Sequence, residues 1–170
     1  MTPIQIRREC AADIDGIRAV NIAAFGSAAE ADLVEALRIE TTPLVSLVAE
    51  AGGTIVGHIM FSPVTVVGSA SRFMMGLAPM AVVPARQREG IGSALVREGL
   101  AVCERLGVGA VVVLGHAAFY PRFGFAPASR FGLTCEYDVP DDVFMAMELE
   151  PGSLRGASGT MRYHRVFANV

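Results

Sequence analysis

The chain has 170 residues, 52% of them hydrophobic and 18% charged, with a formal net charge of −3 and a pI near 5.6. That length can bury a real core, and that apolar content excludes a disordered chain. The acidic balance disfavours a protein working along nucleic-acid backbone, which selects basic surfaces.

The longest apolar runs, such as 110–114, fall far short of the roughly 20 residues that cross a bilayer. The N-terminal stretch Met1-Thr-Pro-Ile-Gln-Ile-Arg-Arg8 has no apolar signal core. Cys10, Cys103 and Cys135 are widely spaced and odd in number. They fit reduced thiols in a cytoplasm better than a disulfide frame or a zinc site, so the expectation is a cytoplasmic protein with no metal and no membrane contact. Cys103 falls in an apolar helical pattern and reads as buried filler.

Ile4 to Arg8 alternates apolar and polar residues, as a first strand does. Asp13 is placed to cap a helix carrying Ile14, Ile17, Val20 and Ile22 toward Phe25, and Gly26-Ser27 breaks it. A second helix runs from Ala28 to about Ile39, with Leu33, Val34 and Leu37 on one face and Glu30 and Asp32 in its first turn, where the dipole favours carboxylates. Thr41-Thr-Pro43 ends it. Leu44 to Glu50 is a strand, Ala51-Gly-Gly-Thr54 a hairpin turn, and Thr54 to Val66 the return strand.

Gly68 to Ser71 makes another turn, and Arg72 to Val83 the next strand. Gly76 and Pro79 inside that strand argue for a bulge or lost pairing, which would free N–H and C=O groups for an amide-bearing ligand. A long helix from about Gly90 ends at Gly107. Gly109 to Leu114 is continuously apolar and β-branched, a buried strand. Gly115-His116 leads into a short irregular helix around Phe119 to Phe123, with Pro121 in its first turn. An extended piece follows from Gly124, then a polar loop at Asp138–Asp142 and a last clear strand at Val143–Leu149. Residues 1–150 read as a single domain and residues 151–170 as a C-terminal extension packed on it. The order gives an α/β (α+β) fold, a mixed, largely antiparallel sheet with helices on both faces.

The strand-to-helix passage at Met80–Leu100 is the informative one. Met80-Ala-Val-Val83 ends at Pro84, a polar turn Arg86-Gln-Arg-Glu89 follows, and Gly90-Ile-Gly92-Ser93 opens a segment with helical apolar spacing. A helix N-terminus has unpaired N–H groups and partial positive charge, and glycines let an anion approach. The loop therefore reads as a phosphate or pyrophosphate site, or as close strand–helix packing with no ligand. No Gly-x-x-x-x-Gly-Lys-Ser/Thr occurs, and Leu95 stands where Gly-x-Gly-x-x-Gly needs its third glycine.

Val82-Val-Pro84 followed by Gln87-Arg-Glu-Gly-Ile-Gly92 resembles the acyl-CoA-binding signature of the GNAT superfamily of N-acetyltransferases. Phe119-Tyr-Pro-Arg-Phe-Gly-Phe125 resembles that family's second landmark, and Leu114 to Phe125 is similar to its YhbS-like branch. The resemblance spans about residues 4–149 and implies a GNAT-like sheet. It implies acetyl-CoA as co-substrate and direct acetyl transfer to a primary amine on a small molecule, peptide or protein.

By that resemblance, the backbone of Met80, Ala81 and Val82 pairs with the pantetheine arm and acetyl carbonyl. The loop Gln87, Arg88, Glu89, Gly90, Ile91, Gly92 and Ser93 holds the pyrophosphate. Tyr120 matches the position of the general acid, its phenol protonated at neutral pH. The same aromatics also read as a simple hydrophobic plug. His116, directly after the buried strand, is a weaker catalytic candidate that could equally cap the turn. His58, in mid-strand, reads as a hydrogen-bonded core histidine. A non-catalytic acyl-CoA-binding sensor of the same fold is the alternative reading, and another phosphate-ligand binder is a third. Dimerisation stays open.

Overall fold

The hairpin Ala51–Thr54 turns on Gly52 and Gly53, at φ +57° and +85°, a conformation that costs glycine little. It joins β2 (Val45–Ala51) to β3 (Thr54–Val66), and β1 (Ile4–Arg8) pairs antiparallel on the outer side of β2. The computed structural model describes residues 2–68 and 72–170. The turn expected over Gly68 to Ser71 falls mainly on residues 69–71, outside the described residues. The other elements are α1 (Ile14–Phe25), α2 (Ala29–Glu40), β4 (Met74–Val82), α3 (Ile91–Arg105), β5 (Ala110–Leu114), β6 (Ala126–Pro127), β7 (Leu133–Cys135), β8 (Phe144–Glu148) and β9 (Gly159–Arg162), with short 3-10 turns between them. The hydrogen-bonded strand order is β1-β2-β3-β4-β5-β8-β6, with β9 pairing β7 and β3. The sheet is mixed and mostly antiparallel, as the element order predicted.

The described residues group into two compact units, and β3, β4 and α3 each run from one into the other. The first unit comprises Met1–Ser62, Pro79–Val102 and Arg165–Val170. Here strand alternation assigns the two faces of the sheet. Val48 and Met60 pack with Ile17 of α1 and Leu33, Val34 and Leu37 of α2. Gly57 and Phe61 point the other way, to α3. A Cβ on Gly57 would stand 3.1 Å from both Ile91 Cγ2 and Leu95 Cδ1, and Gly99 of α3 lies directly against the Phe61 ring. Helices thus cover both faces. A register shift between Ala49 and Glu50, paired with Gly57 and Ile55, makes Val56 a bulge. The bulge lets Ile55 join the α1–α2 side while Gly57 serves α3.

The second unit comprises Pro63–Ala78 and Cys103–His164. Its centre is β5, whose Val111, Val112 and Val113 are buried. β4 pairs parallel with β5 from Met74↔Ala110 to Leu77↔Val113, and β8 pairs antiparallel along β5's full length. β7 and β9 pair in parallel, and β9 also pairs with the end of β3, Val66↔Met161. Cys103 is fully buried, its thiol pushed up to about 12 by burial.

Two local expectations need correction. Asp13 does not cap α1 through its side chain. A 3-10 turn at Ala11–Asp13 comes first, and the Asp13 carboxylate accepts the Cys10 N–H at 2.8 Å and the Arg7 guanidinium at 2.7 and 2.9 Å. Pairing of β4 with β5 ends after Leu77, before Pro79, as expected, but Gly76 lies inside the continuously paired run Met74 to Leu77. It is glycine because a Cβ would stand 2.8 Å from the Tyr163 ring and 2.9 Å from Val64. Among the described residues, no helix is long and apolar enough to cross a membrane.

Candidate functional site

In the first unit, the end of β4 is tied down before the loop begins. The Val83 N–H donates to Val56 O at 2.9 Å, placing the bulge beside the strand's exit. Pro84 opens a 3-10 turn through Arg86, with Pro in the first turn, where its missing N–H costs nothing. The Gln87 side-chain amide donates back to Val82 O at 3.0 Å. Arg86 Nε donates to Glu89 Oε1 at 2.9 Å, so part of the loop's positive charge is paired within the loop.

Arg88 and Gly90 both adopt left-handed backbone, at φ +64° and +86°. A Cβ on Gly90 would meet nothing within 4 Å, so conformation and not space demands glycine there. The first helical bond of α3 is Ala94 N–H to Gly90 O, 3.0 Å. Among the described residues, no backbone hydrogen bond uses the N–H groups of Arg88, Glu89, Gly90, Ile91, Gly92 or Ser93. Unpaired N–H groups on left-handed turns at the head of a helix form an anion-binding concavity. Of the residues expected to lie beside the thioester, Ala81 and Val82 are buried and Met80 is half-buried.

In the second unit, the parallel pairing of β4 with β5 stops at Leu77↔Val113, while β4 continues to Val82. β5 ends at Leu114, and the Gly115 N–H donates to Val143 O at 3.0 Å. The carbonyl of His116 accepts the N–H groups of Phe119 and Tyr120 at 3.0 and 3.3 Å, so its backbone closes the turn while its side chain is exposed. Tyr120 opens a 3-10 turn to Phe123 and is 6% exposed. Its ring meets Phe119 edge-on at 5.0 Å and Phe125 at 5.7 Å. Burial pushes the phenol up to about 12, so it stays protonated through any working pH.

His58 is fully buried in the first unit, between Asn21 and Ser46. Both of its ring nitrogens are in use, and burial, with the Arg38 charge adding to it, lowers its pKa to about 3. It is a structural histidine. Glu30 stands in the first turn of α2, as its position implied. Its Oε2 is buried without a hydrogen-bond partner among the described residues.

A loop with two left-handed residues heads α3, and the parallel pairing of β4 with β5 stops at Leu77 while β4 runs on to Val82. Residues 15–125 match the model of the Acetyltransferase (GNAT) family, and the chain belongs to that family. It is 37% identical over 163 residues to the N-acetyltransferase YhbS of Escherichia coli, covering 95% of this chain and 97% of that one. It is 39% identical over 153 residues to the Escherichia coli N-acetyltransferase YjhQ, covering 85% and 84% of the two chains. The crystal structure of YhbS in complex with CoA superposes with a TM-score of 0.92 at 36% identity, over 99% of this chain and 93% of that one. A GNAT acetyltransferase from Brucella melitensis, solved with acetyl-CoA, superposes at 0.81 and 36% identity, over 98% and 99%.

Proposed function

We propose that the chain transfers an acetyl group from acetyl-CoA directly to the primary amine of a small molecule, peptide or protein. The observation that carries this reading is the run of N–H groups from Arg88 to Ser93 that no hydrogen bond among the described residues uses, in a loop with two left-handed residues. A diphosphate satisfies those donors and the α3 dipole together. The CoA and acetyl-CoA complexes of the two structures similar to this chain support the same ligand.

Gly90, Ile91, Gly92 and Ser93 hold the diphosphate by backbone N–H, and Ser93 adds a hydroxyl. Arg88 supplies charge. Gln87 and Glu89 shape the loop through their bonds to Val82 and Arg86. The backbone of Met80, Ala81 and Val82 pairs with the pantetheine amides and the thioester carbonyl, which aligns the carbonyl carbon for attack.

The neutral amine attacks that carbon, so a C–N bond forms and the C–S bond breaks. The amine's proton leaves to water or to His116, and the sulfur gains one from Tyr120, which solvent then restores. A phenol near 12 is a weaker acid than an ordinary thiol of about 8.5. Tyr120 therefore works first as a hydrogen-bond donor that steadies negative charge on sulfur as the bond breaks. The reaction takes place in the cytoplasm, where three separated free thiols stay reduced.

Calorimetric titration with CoA, acetyl-CoA, ATP and NAD, followed by thiol release across a panel of primary amines, tests this reading. Binding of the two CoA species alone, with thiol release for at least one amine class, is the expected result. No affinity for either CoA species overturns it. Binding without turnover across a wide panel puts an acyl-CoA sensor in its place.

A further inference from the structure

Gly115 follows the last residue of β5, and its backbone does not take the left-handed conformation that would demand glycine. What excludes a side chain is Tyr120. A Cβ on Gly115 would press into the Tyr120 ring at Cε2, 2.8 Å from Cδ2 and 3.2 Å from Cζ. These are atoms in the body of a rigid ring, not the far end of a flexible chain.

Both partners are held by their neighbours. The Gly115 N–H is bonded to Val143 O, which holds the backbone at the end of β5. The Tyr120 backbone is fixed by its N–H bond to His116 O. Its ring is bounded by Phe119, at 5.0 Å and 83°, and by Phe125, at 5.7 Å and 79°. Phe119 is itself backed by Phe123 at 5.1 Å and by the Arg122 guanidinium, 4.5 Å from its centroid. A methyl group at position 115 must therefore swing the phenol away from its resting place.

We propose that Gly115 is a positioning residue for Tyr120, its missing side chain fixing where the phenol oxygen is presented. The inference rests on the proton-donor reading of Tyr120. In that reading the phenol must meet the sulfur only as charge develops there, and a misplacement of about 1 Å can cost on the order of a hundredfold in rate.

The test is a cycle of Gly115→Ala, Tyr120→Phe and the double variant, with kcat, KM and acetyl-CoA Kd measured for each. Gly115→Ala is expected to lower kcat by about ten- to a hundredfold while acetyl-CoA Kd stays within about twofold. The double variant is expected to be no slower than Tyr120→Phe, because only a phenol that is present can be misplaced. A Gly115→Ala variant at wild-type kcat beside a slow Tyr120→Phe overturns this inference alone. So does a double variant in which the two losses multiply. Tyr120→Phe at the wild-type rate overturns the proton-donor reading beneath it. Should Gly115→Ala fail to fold, nuclear Overhauser effects between the Gly115 Hα and Tyr120 ring protons in the wild-type acetyl-CoA complex carry the test. Their presence supports the contact in the working complex, and their absence overturns it.

Discussion

The Nε2 of His58 lies 2.9 Å from the Oγ of Ser46, in the middle of a sheet face covered by α1 and α2. On the ring's other side the Asn21 amide nitrogen stands 3.2 Å from Nδ1 and also donates to Ile17 O, which fixes the amide's orientation. Nδ1 therefore accepts and Nε2–H donates to Ser46, so the ring is a neutral cross-link between helix and sheet. Protonating it would turn the Nδ1 acceptor into a donor facing another donor.

With a folded pKa of about 3 against an ordinary 6.5, the unfolded chain binds a proton that the folded chain refuses. His58 thus contributes stability above about pH 6.5 that is lost progressively as pH falls toward 3, by up to about 1.4 kcal/mol per pH unit. Urea titrations of wild type and His58→Gln at pH 8, 6 and 5 check this. His58→Gln should lose about 1–3 kcal/mol at pH 8 but show a flatter acid slope. Equal slopes in the two proteins would remove His58 from the account.

Asp13 loses its contribution on acidification as His58 does, but in a lower pH window. Three N–H donors, two from Arg7 and one from Cys10, converge on its carboxylate and hold its pKa well below the usual range. Its contribution is present above about pH 4 and is lost as pH falls toward the folded value. Asp13→Asn should cost about 1–3 kcal/mol at pH 7, with the gap from wild type closing below pH 4. Denaturation midpoints from pH 7 to 2.5 measure it.

Tyr120→Phe should lower kcat by about 10²–10⁴-fold while CoA Kd is unchanged. The burial that pushes its phenol up to about 12 also removes Tyr120 as a source of alkaline inactivation. The wild-type rate should show no Tyr120-dependent fall between about pH 9 and 11. A descending limb near pH 10 that vanishes in Tyr120→Phe would contradict the buried phenol.

Gly90→Ala forces a Cβ into left-handed backbone at φ +86° with open space around it, so the whole cost is conformational. A loss of about 1–2 kcal/mol in stability is expected. CoA affinity should weaken about tenfold or more as the loop's N–H groups turn away. Thermal unfolding with and without CoA separates the two effects, because the ligand's stabilising shift shrinks only if the second is real.

The long elements were legible because their periods are long enough to read. The helical spacing from Ile91 to Leu106 placed α3 nearly to the residue, and the glycine turn before Thr54 placed the start of β3. The Pro84–Ser93 loop was legible for a related reason, since proline and glycine state backbone geometry outright. Asp13 misled because the rule for a helix start cannot see the extra 3-10 turn that moves its bonds one turn upstream. Gly76 misled because its cause, Tyr163, is remote in sequence. β7 and β9 span three and four residues, too short to show any period. Gly115 carried no signal of its own, because a glycine required for space looks in sequence like one required for a turn.

The pairing of β9 bears on what holds each unit closed. Residues 159–162 complete hydrogen bonds begun by β7 and by the end of β3, and Val166 and Phe167 close the apolar cluster under α1 and α2. Each unit is thus finished by residues from a single stretch of nine, 159–167. Cutting the chain before residue 159 would leave two raw strand edges and an uncovered apolar patch, so both units depend on this short stretch.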